Sequence, residues 1–313
     1  MDPEIWHPEI SIITSIERDW LDLMPRWLQA LEQQQDVACE NLEVVVVNGF
    51  GDEKLARKIA EQQAKFAVAF SLSFHTMKKC GRAAANNHGI KHSSGNLLLF
   101  LADDFVASPR LVEQHLALHR LHPAEHVVGI GPGIFPPEWE LSPYMHWLDY
   151  GGGLFGTAFV GEHARPPPAD FFYGANTSVK RSFIEKAGLF DEDYPYDCGD
   201  DAELGIRLRQ LGLQSKFLPD AIAYHWHEQG LPDGLARARL SGESVAITDF
   251  KLGGETRLRA GIQQRRKIRS QAPKDLESRW KMLFIESFNK AYKNAARKLI
   301  KSGLGQANGK RQV

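Results

Sequence analysis

Apolar stretches alternate with amphipathic segments along the first 120 residues. Strands are predicted where β-branched and apolar residues cluster, and helices where apolar residues recur every three or four positions. This pattern indicates a mainly parallel sheet flanked by helices on both faces, the α/β class. The predicted strands are Ile10–Ile16, Asn41–Val47, Phe70–His75 and Leu97–Leu101, and the predicted helices are Asp19–Leu31, Lys54–Ala69 and Gly81–Lys91.

The second half of the chain has a different pattern. Residues 131–168 are rich in Gly and Pro and predict long loops. Residues 171–190 predict a strand, a turn and a helix, and they are followed by a helix over Asp200–Gln210 and a strand over Lys216–His225. From about residue 231 the sequence is polar, basic and mostly helical, with an apolar stripe that predicts an amphipathic helix. The stripe contains Leu276, Trp280, Leu283, Phe284, Phe288, Ala295 and Leu299.

Composition is that of a folded protein, with 43% hydrophobic and 25% charged residues. No apolar run approaches the roughly 18 residues that span a bilayer, and the acidic N-terminus lacks the layout of a signal peptide. Three cysteines without a CxxC pair do not form a disulfide framework. A cytoplasmic location is therefore expected.

Charge is unevenly distributed along the chain. Residues 236–313 hold 19 Lys/Arg and 6 Asp/Glu, whereas the 235 residues before them hold 19 and 33. We therefore predict an acidic domain over 1–235 and a basic helical extension over 236–313. Such asymmetry is typical of contact with an anionic membrane, a nucleic acid or an acidic partner. Packing of the tail on its own acidic body is the alternative, and no nucleic-acid module accompanies the tail.

Two acidic groups are candidates for chemistry. Asp103 and Asp104 follow an apolar strand at the edge where α/β sheets bind ligands, and such a pair can hold a divalent cation against a diphosphate. A solvated turn that caps the next helix is the alternative. Asp200 and Asp201 open a helix, where the backbone dipole alone favours carboxylates. Such a carboxylate can also act as a general base.

Two further segments are candidates for ligand contact. His225 and His227 lie two positions apart, so in an extended segment both side chains face the same way and can bind a transition metal. An ordinary polar strand end is the alternative. Gly174, in the sequence YGAN, permits close approach of a ligand to the backbone, although a tight turn also explains it.

Taken in order, these segments resemble family 2 of the inverting glycosyltransferases, over roughly residues 8–230. The resemblance implies a GT-A fold, a nucleotide-sugar donor and Mn²⁺ or Mg²⁺ as cofactor. The segment around Asp201 also resembles that of galactosyltransferases, which favours UDP. The landmarks are SIITSIERD, EVVVVNGFGDE, GRAAANNHGIKHSSGNLLLFLADDF, FFYGANTSVKRSFIEKAGLFDED, CGDDAELGIRLRQLG and YHWH.

The resemblance implies a role for each matching position. Asp201 corresponds to the catalytic base and Asp200 to a residue that positions the acceptor. Asp104 and His225 correspond to metal ligands, with His227 as the less favoured choice for the latter. Residues implied in donor binding are Thr14, Glu17, Asn48, Gly81, Asp103, Gly174 and Asn176. Aromatic candidates for the acceptor in the Gly/Pro-rich loops are Trp139, Trp147 and Tyr150.

The sequence departs from the family pattern at two places. Ala102 stands where the first acid of the usual Asp-x-Asp is expected, and Asn48-Gly49 replaces an acidic pair. A catalytically degenerate binding subunit is therefore one alternative to an enzyme. A sugar-phosphate nucleotidyltransferase is another, but the segment TSIERDW lacks the glycine-rich phosphate loop that it needs after its first strand. The expected acceptor is a glycan, lipid-linked or small-molecule hydroxyl, and the basic tail is expected to contact an anionic membrane peripherally.

Overall fold

A computed structural model describes residues 7–16, 21–49, 51, 53–63, 67–150, 167–194, 198–267 and 273–302. The strands are β1 (Ile10–Ile16), β2 (Leu42–Asn48), β3 (Ser71–Thr76), β4 (Leu97–Leu101), β5 (Phe105–Ala107), β6 (Val127–Ile130), β7 (Gly133–Ile134), β8 (Asn176–Lys180), β9 (Gln214–Phe217) and β10 (Ala223–His225). The helices are α1 (Met24–Glu32), α2 (Glu53–Gln63), α3 (Arg82–Lys91), α4 (Leu111–Leu121), α5 (Pro143–Tyr150), α6 (Arg181–Lys186), α7 (Asp200–Gln210), α8 (Leu231–Lys267) and α9 (Leu276–Lys301).

The main sheet is mixed but mainly parallel, as predicted. Its order within the described residues is β3-β2-β1-β4-β8-β6-β9. Strands β1 to β4 run parallel to one another, and β9 runs parallel to β6. Only β8 is antiparallel to both of its partners, β4 and β6. The carboxyl ends of β1, β2 and β4 therefore lie along one edge of the sheet.

Both faces of the central strands are buried, which explains their continuous apolar sequences. Along β1, Ile12 packs into one hydrophobic cluster and Ile13 into the cluster on the opposite face. In β2, Val44 and Val46 share the first of these clusters. Parallel strands covered by helices on both sides have this all-apolar composition, in contrast to the alternation of half-exposed strands.

The single strand predicted over Lys216–His225 is wrong. The segment forms β9 and β10, which belong to different sheets. Pro219 separates them within a turn in which the Ala221 N–H bonds the Leu218 carbonyl. Because proline lacks an N–H donor, it interrupts a strand ladder. The break sends β10 into a small sheet of order β5-β10-β7, where His225 pairs with Phe105.

The chain forms two compact units, the first within 1–141 and 148–227 and the second within 142–147 and 228–313. In the second unit, α8 packs on α9 around a core that includes Ala246, Leu258, Tyr292 and Ala296. Helix α8 bends at Gly253-Gly254, and α9 begins with a capping box between Asp275 and Ser278. These elements confirm the predicted C-terminal helices. Among the helices of the described residues, none has a stretch long and apolar enough to cross a membrane.

Candidate active site

The turn after β4 places two carboxylates at the sheet edge. The Phe105 N–H bonds the Ala102 carbonyl at 3.0 Å, so Asp103 and Asp104 occupy the centre of the turn. The Trp27 indole N–H donates to the same carbonyl at 3.2 Å. Both aspartates are buried, with 2% and 6% of their surface exposed. This burial argues against the alternative of a solvated acidic turn.

Two histidines meet Asp104 across the small sheet. Strand β10 pairs antiparallel with β5, and the Trp226 N–H donates to the Asp104 carbonyl at 2.8 Å. The His225 Nε2 then lies 3.2 Å from the Asp104 Oδ2, and the His227 Nδ1 lies 3.9 Å from the same oxygen. One potential ligand atom from each of the three residues lies within 4.8 Å of the other two.

The Asp104–His225–His227 cluster fits a divalent transition metal. One carboxylate oxygen and two imidazole nitrogens form a mixed donor set, which suits Mn²⁺ better than Mg²⁺. The ring of Phe135 stacks on His225 at 5.5 Å and 14° and fixes its orientation. The buried His225 Nδ1 has no hydrogen-bond partner in the described part of the chain.

A left-handed glycine starts the acidic helix. Gly199 has φ +92° and is the N-cap of α7, so Asp200 and Asp201 are its first residues. Asp200 is fully buried, and its carboxylate is bound by both Nε and Nη2 of Arg82. Burial raises the pKa of Asp200, while the Arg82 guanidinium opposes the rise. Asp200 therefore holds Arg82 and presents no oxygen to solvent.

Asp201 is the accessible member of this pair. Its side chain is 19% exposed, compared with 0% for Asp200. Its Oδ2 accepts the Gly174 N–H at 3.1 Å, and its Oδ1 accepts the Ala202 N–H at 2.8 Å. Arg82 Nη2 lies 3.8 Å from Oδ2. Two backbone donors and one cation thus orient a carboxylate that solvent still reaches.

Tyr173, which lies beside this carboxylate, is not a competing base. Its hydroxyl donates to the Gly131 carbonyl at 2.6 Å. Burial raises the pKa of Tyr173, and the negative charge of Asp201 raises it further. The side chain therefore stays a neutral phenol that supports the loop before β8.

Backbone hydrogen bonds connect the two acidic groups. Leu101 at the end of β4 pairs with Asn176 at the start of β8. The Ala102 N–H then bonds the Ala175 carbonyl at 2.9 Å, and the adjacent Gly174 N–H reaches Asp201. Asp104 and Asp201 are therefore joined through segments 102–104 and 174–175 at one edge of the sheet.

The remaining residues expected at the donor occupy varied positions. Thr14 and Asn48 lie near the carboxyl ends of β1 and β2 and are each 1% exposed. Gly81 is the N-cap of α3. The side chain of Asn176 lies in the interior, where it bonds the Pro132 and Ala221 carbonyls and His115. Glu17 lies outside the described residues.

The three aromatic candidates do not come together. Trp139 is half-buried and meets Trp226 edge-on at 5.3 Å, beside the cluster of Asp104 and the histidines. Trp147 is buried in the second unit against Trp280 at 5.5 Å. Tyr150, at the end of α5, is 38% exposed. Of the three, Trp139 is the residue placed beside the candidate metal ligands.

Arg82 is a site residue that the sequence interpretation missed. It follows Gly81, which was a candidate, but its partner Asp200 lies 118 positions later in the chain. A basic residue at a helix start is unfavourable for the helix dipole. That local conflict is the signal that could have identified it.

A family model and curated relatives match parts of the chain. The family model described as Glycosyl transferase family 2 matches residues 11–188, more than half of the chain. The "Uncharacterized glycosyltransferase YfnE" of Bacillus subtilis is 24% identical over a 242-residue alignment, and the match covers 63% of this chain and 60% of that protein. The chain thus matches less than two thirds of the length of this relative.

Solved structures share the fold at low sequence identity. The mannosyltransferase PcManGT from Pyrobaculum calidifontis, in complex with GDP-Man and Mn²⁺, is 16% identical with a TM-score of 0.51, covering 95% of this chain and 75% of that one. TarS 1-349 from S. aureus, in complex with UDP-GlcNAc, is 13% identical with a TM-score of 0.52, covering 93% and 92%. At these identities the likeness establishes the fold alone.

Proposed function

The chain belongs to glycosyl transferase family 2, and on that premise we propose that it moves a sugar from a UDP-sugar to an acceptor hydroxyl with inversion at the anomeric carbon. The acceptor is a glycan, lipid-linked or small-molecule substrate. One observation carries the proposal: the path from Asp104 through segments 102–104 and 174–175 to Asp201. It supports placing leaving-group stabilisation and proton removal at one sheet edge.

Asp201 is the proposed general base. An acceptor hydroxyl is a poor nucleophile until its proton has a place to go, and a carboxylate within hydrogen-bond reach accepts it. The solvent access of Asp201 supports this role, and the two backbone N–H donors fix its orientation. Asp200 is proposed to act on the acceptor indirectly, because it is buried and holds Arg82 beside Asp201.

Asp104 and His225 are the proposed metal ligands, with His227 as a third. When bound, a divalent ion such as Mn²⁺ or Mg²⁺ supplies positive charge to a leaving diphosphate. Asp103 is proposed to lie at the ribose or diphosphate of the donor. The other residues proposed to contact the donor are Thr14, Glu17, Asn48, Gly81 and Gly174. The complexes of PcManGT with GDP-Man and Mn²⁺ and of TarS with UDP-GlcNAc support a nucleotide-sugar donor.

Trp139 is the proposed acceptor contact of the three aromatic candidates. Its position beside Trp226 supports this choice, because an aromatic ring beside a site can stack on a sugar. Trp147 packs within the second unit, and we propose no substrate contact for it.

The basic tail supports a proposal about location. Residues 1–235 are proposed as the catalytic domain and 236–313 as an appendage that contacts an anionic membrane from the cytoplasmic side. The apolar stripe of α9 packs in part against α8, so attraction between charges, more than insertion, would drive this contact. Basic side chains at the ends of both helices surround one concavity; its lining comprises Arg259, Ile262, Gln263, Arg266, Arg297, Ile300 and Lys301.

A donor screen followed by one matched pair of variants tests the function. The full chain is screened by thermal shift against UDP- and GDP-sugars with and without Mn²⁺, and turnover of the selected donor is then measured. Asp201→Asn should lower kcat by roughly 10²–10⁴-fold while donor affinity is kept. Asp220→Asn, at an exposed turn position, should change neither quantity.

The other outcomes identify the competing functions. Normal turnover of Asp201→Asn would reject Asp201 as the base. Donor binding without transfer or hydrolysis for any nucleotide sugar would favour a degenerate binding subunit. Release of pyrophosphate from a nucleoside triphosphate and a sugar phosphate would favour a nucleotidyltransferase.

A further inference from the structure

Three histidines outside the candidate active site lie together. His75 is near the end of β3, an edge strand of the main sheet, and pairs with Val47 of β2. His88 lies on α3, and His92 is the C-cap residue of that helix. The positions of His88 and His92 are i and i+4, so their side chains share one helix face. That face meets His75.

The three rings are in mutual contact. Ring centroids are separated by 4.0 Å for His88 and His92, 4.5 Å for His75 and His92, and 5.1 Å for His75 and His88. One nitrogen from each ring lies within 4.8 Å of the other two. In a tetrahedral zinc site with Zn–N bonds of about 2.0–2.1 Å, the nitrogens stand about 3.3 Å apart. His92 is the exposed member of the three, so its side chain has room for the small shift that this spacing requires.

The surroundings of these histidines favour the neutral imidazole, which is the form that binds a metal. Burial lowers the pKa of His75 and His88, and the nearby His92 lowers both further. The buried Nε2 of His75 has no hydrogen-bond partner among the described residues. His92 Nδ1 lies 2.8 Å from the His88 carbonyl, and a proton donated there leaves Nε2 with its lone pair free. A backbone contact of this kind orients a ligating imidazole.

We propose that His75, His88 and His92 form a second metal site, which binds Zn²⁺ through three imidazole nitrogens and leaves the fourth position to solvent. An all-nitrogen donor set distinguishes it from the cluster of Asp104, His225 and His227. Imidazole ligands suit Zn²⁺, whereas Mg²⁺ requires oxygen ligands. Two histidines one helical turn apart with a third from another element make a three-histidine set like that of known zinc centres. A bound ion would cross-link the edge strand β3 to α3.

Competition titration with a chromophoric zinc chelator tests the site in the full chain. The metal-stripped protein carries Asp104→Asn and His227→Gln, so that Zn²⁺ binding reports on the second site. In this background, His88→Gln and His92→Gln should each weaken Zn²⁺ binding by at least tenfold. His7→Gln, an exposed histidine in neither cluster, should leave the affinity unchanged. Excess Mg²⁺ should not displace the zinc.

A second readout identifies the ligands directly. Co²⁺ in place of Zn²⁺ should give the intense visible bands of a four-coordinate nitrogen site, and His92→Gln should abolish them. Because His92 is exposed, this variant keeps the fold even if His88→Gln does not. Zinc affinity and cobalt spectra that are the same in His92→Gln as in its parent would overturn the proposal. The same substitution in the chain with native Asp104 and His227 should lower the zinc bound at saturation by one equivalent.

Discussion

The backbone N–H of Gly174 donates to the Oδ2 of Asp201 at 3.1 Å, and this bond ties the loop before β8 to the start of α7. A Cβ placed on Gly174 would stand 3.7 Å from the Asp201 Cβ, an ordinary contact. The bond depends on where α7 begins, because Asp201 is its second residue. The backbone that starts α7 therefore controls the orientation of the proposed base.

Gly199→Ala should damage both stability and turnover. Gly199 has φ +92°, and a side chain in the left-handed region costs about 1–2 kcal/mol. Relief of that strain shifts the first residues of α7, so transfer by the variant should fall at least tenfold. Urea denaturation measures the stability change and a donor-turnover assay measures the activity.

Gly212→Ala is the matched control for this substitution. Gly212 follows the other end of α7 with φ +88°, and a Cβ there would meet no atom within 4 Å. It should lose a similar free energy of unfolding and keep its activity. Equal losses of activity in both variants would mean that stability alone explains the effect.

Arg82→Met should unfold the protein more easily because it leaves the buried Asp200 carboxylate without its cation. Removing one member of a buried ion pair costs about 3–5 kcal/mol. The double variant Arg82→Met/Asp200→Leu should recover most of this loss, since both charges are gone. Urea denaturation of the single and double variants measures the difference. A loss of unfolding free energy of about 1 kcal/mol or less in the single variant would contradict the expectation, because that is the contribution of a surface ion pair.

Local sequence predicted the elements that carry the site, but not the contacts between distant elements. The β-branched run of β1 and the apolar run of β4 identified their strands, and the spacing of His225 and His227 agrees with their common approach to Asp104. The pairing of Arg82 with Asp200 depends on the packing of α3 against α7, 118 positions apart. The spacing of apolar residues within either helix does not predict a contact between residues so far apart in the sequence.

Asp104→Ala should weaken the metal-dependent part of donor binding. With the carboxylate removed, His225 and His227 remain as a nitrogen pair that holds Mn²⁺ poorly. Calorimetry with the selected nucleotide sugar should show affinity at least roughly tenfold lower in Mn²⁺, with little change in EDTA. His227→Gln should lower the affinity less than Asp104→Ala does. The His227 Nδ1 lies 3.9 Å from the Asp104 oxygen, farther than the His225 Nε2 at 3.2 Å, so His227 is the more distant member of the cluster. Unchanged affinity of Asp104→Ala in Mn²⁺ would remove Asp104 from the metal site.

Stability should fall as the pH drops below about 6.5, because two histidines are buried in neutral form. Burial lowers the pKa of His115 to about 4, and burial together with Lys180 lowers the pKa of His119 to about 3. The unfolded chain binds these protons near the ordinary pKa of about 6.5, so it holds more protons than the folded chain between pH 6.5 and 4. Each histidine then contributes a slope of up to about 1.4 kcal/mol per pH unit.

His115→Gln tests this slope. His115 bonds Ser178 at 2.8 Å and Asn176 at 3.0 Å, and glutamine keeps polar atoms there without titrating. The variant should be less stable at pH 7, and its free energy of unfolding should fall less steeply between pH 6.5 and 5. Urea denaturation across that range provides the comparison. A slope equal to that of wild type would show that other groups dominate.

Charge reversal at the end of α9 should release the protein from anionic vesicles. Arg297 and Lys301 line the basic concavity with Arg266 of α8, and each basic residue near such a surface contributes about 1 kcal/mol. Arg297→Glu/Lys301→Glu should therefore lower the affinity for phosphatidylserine vesicles at least tenfold, as measured by co-sedimentation. The binding that remains should depend less on salt concentration. Deleting α9 is a poorer test, because it exposes the α8 residues Ala246 and Leu258. Lys58→Glu/Lys216→Glu, which carries the same charge change on exposed positions of the first unit, should retain binding. If both variants bind equally, the tail has no specific part in vesicle binding.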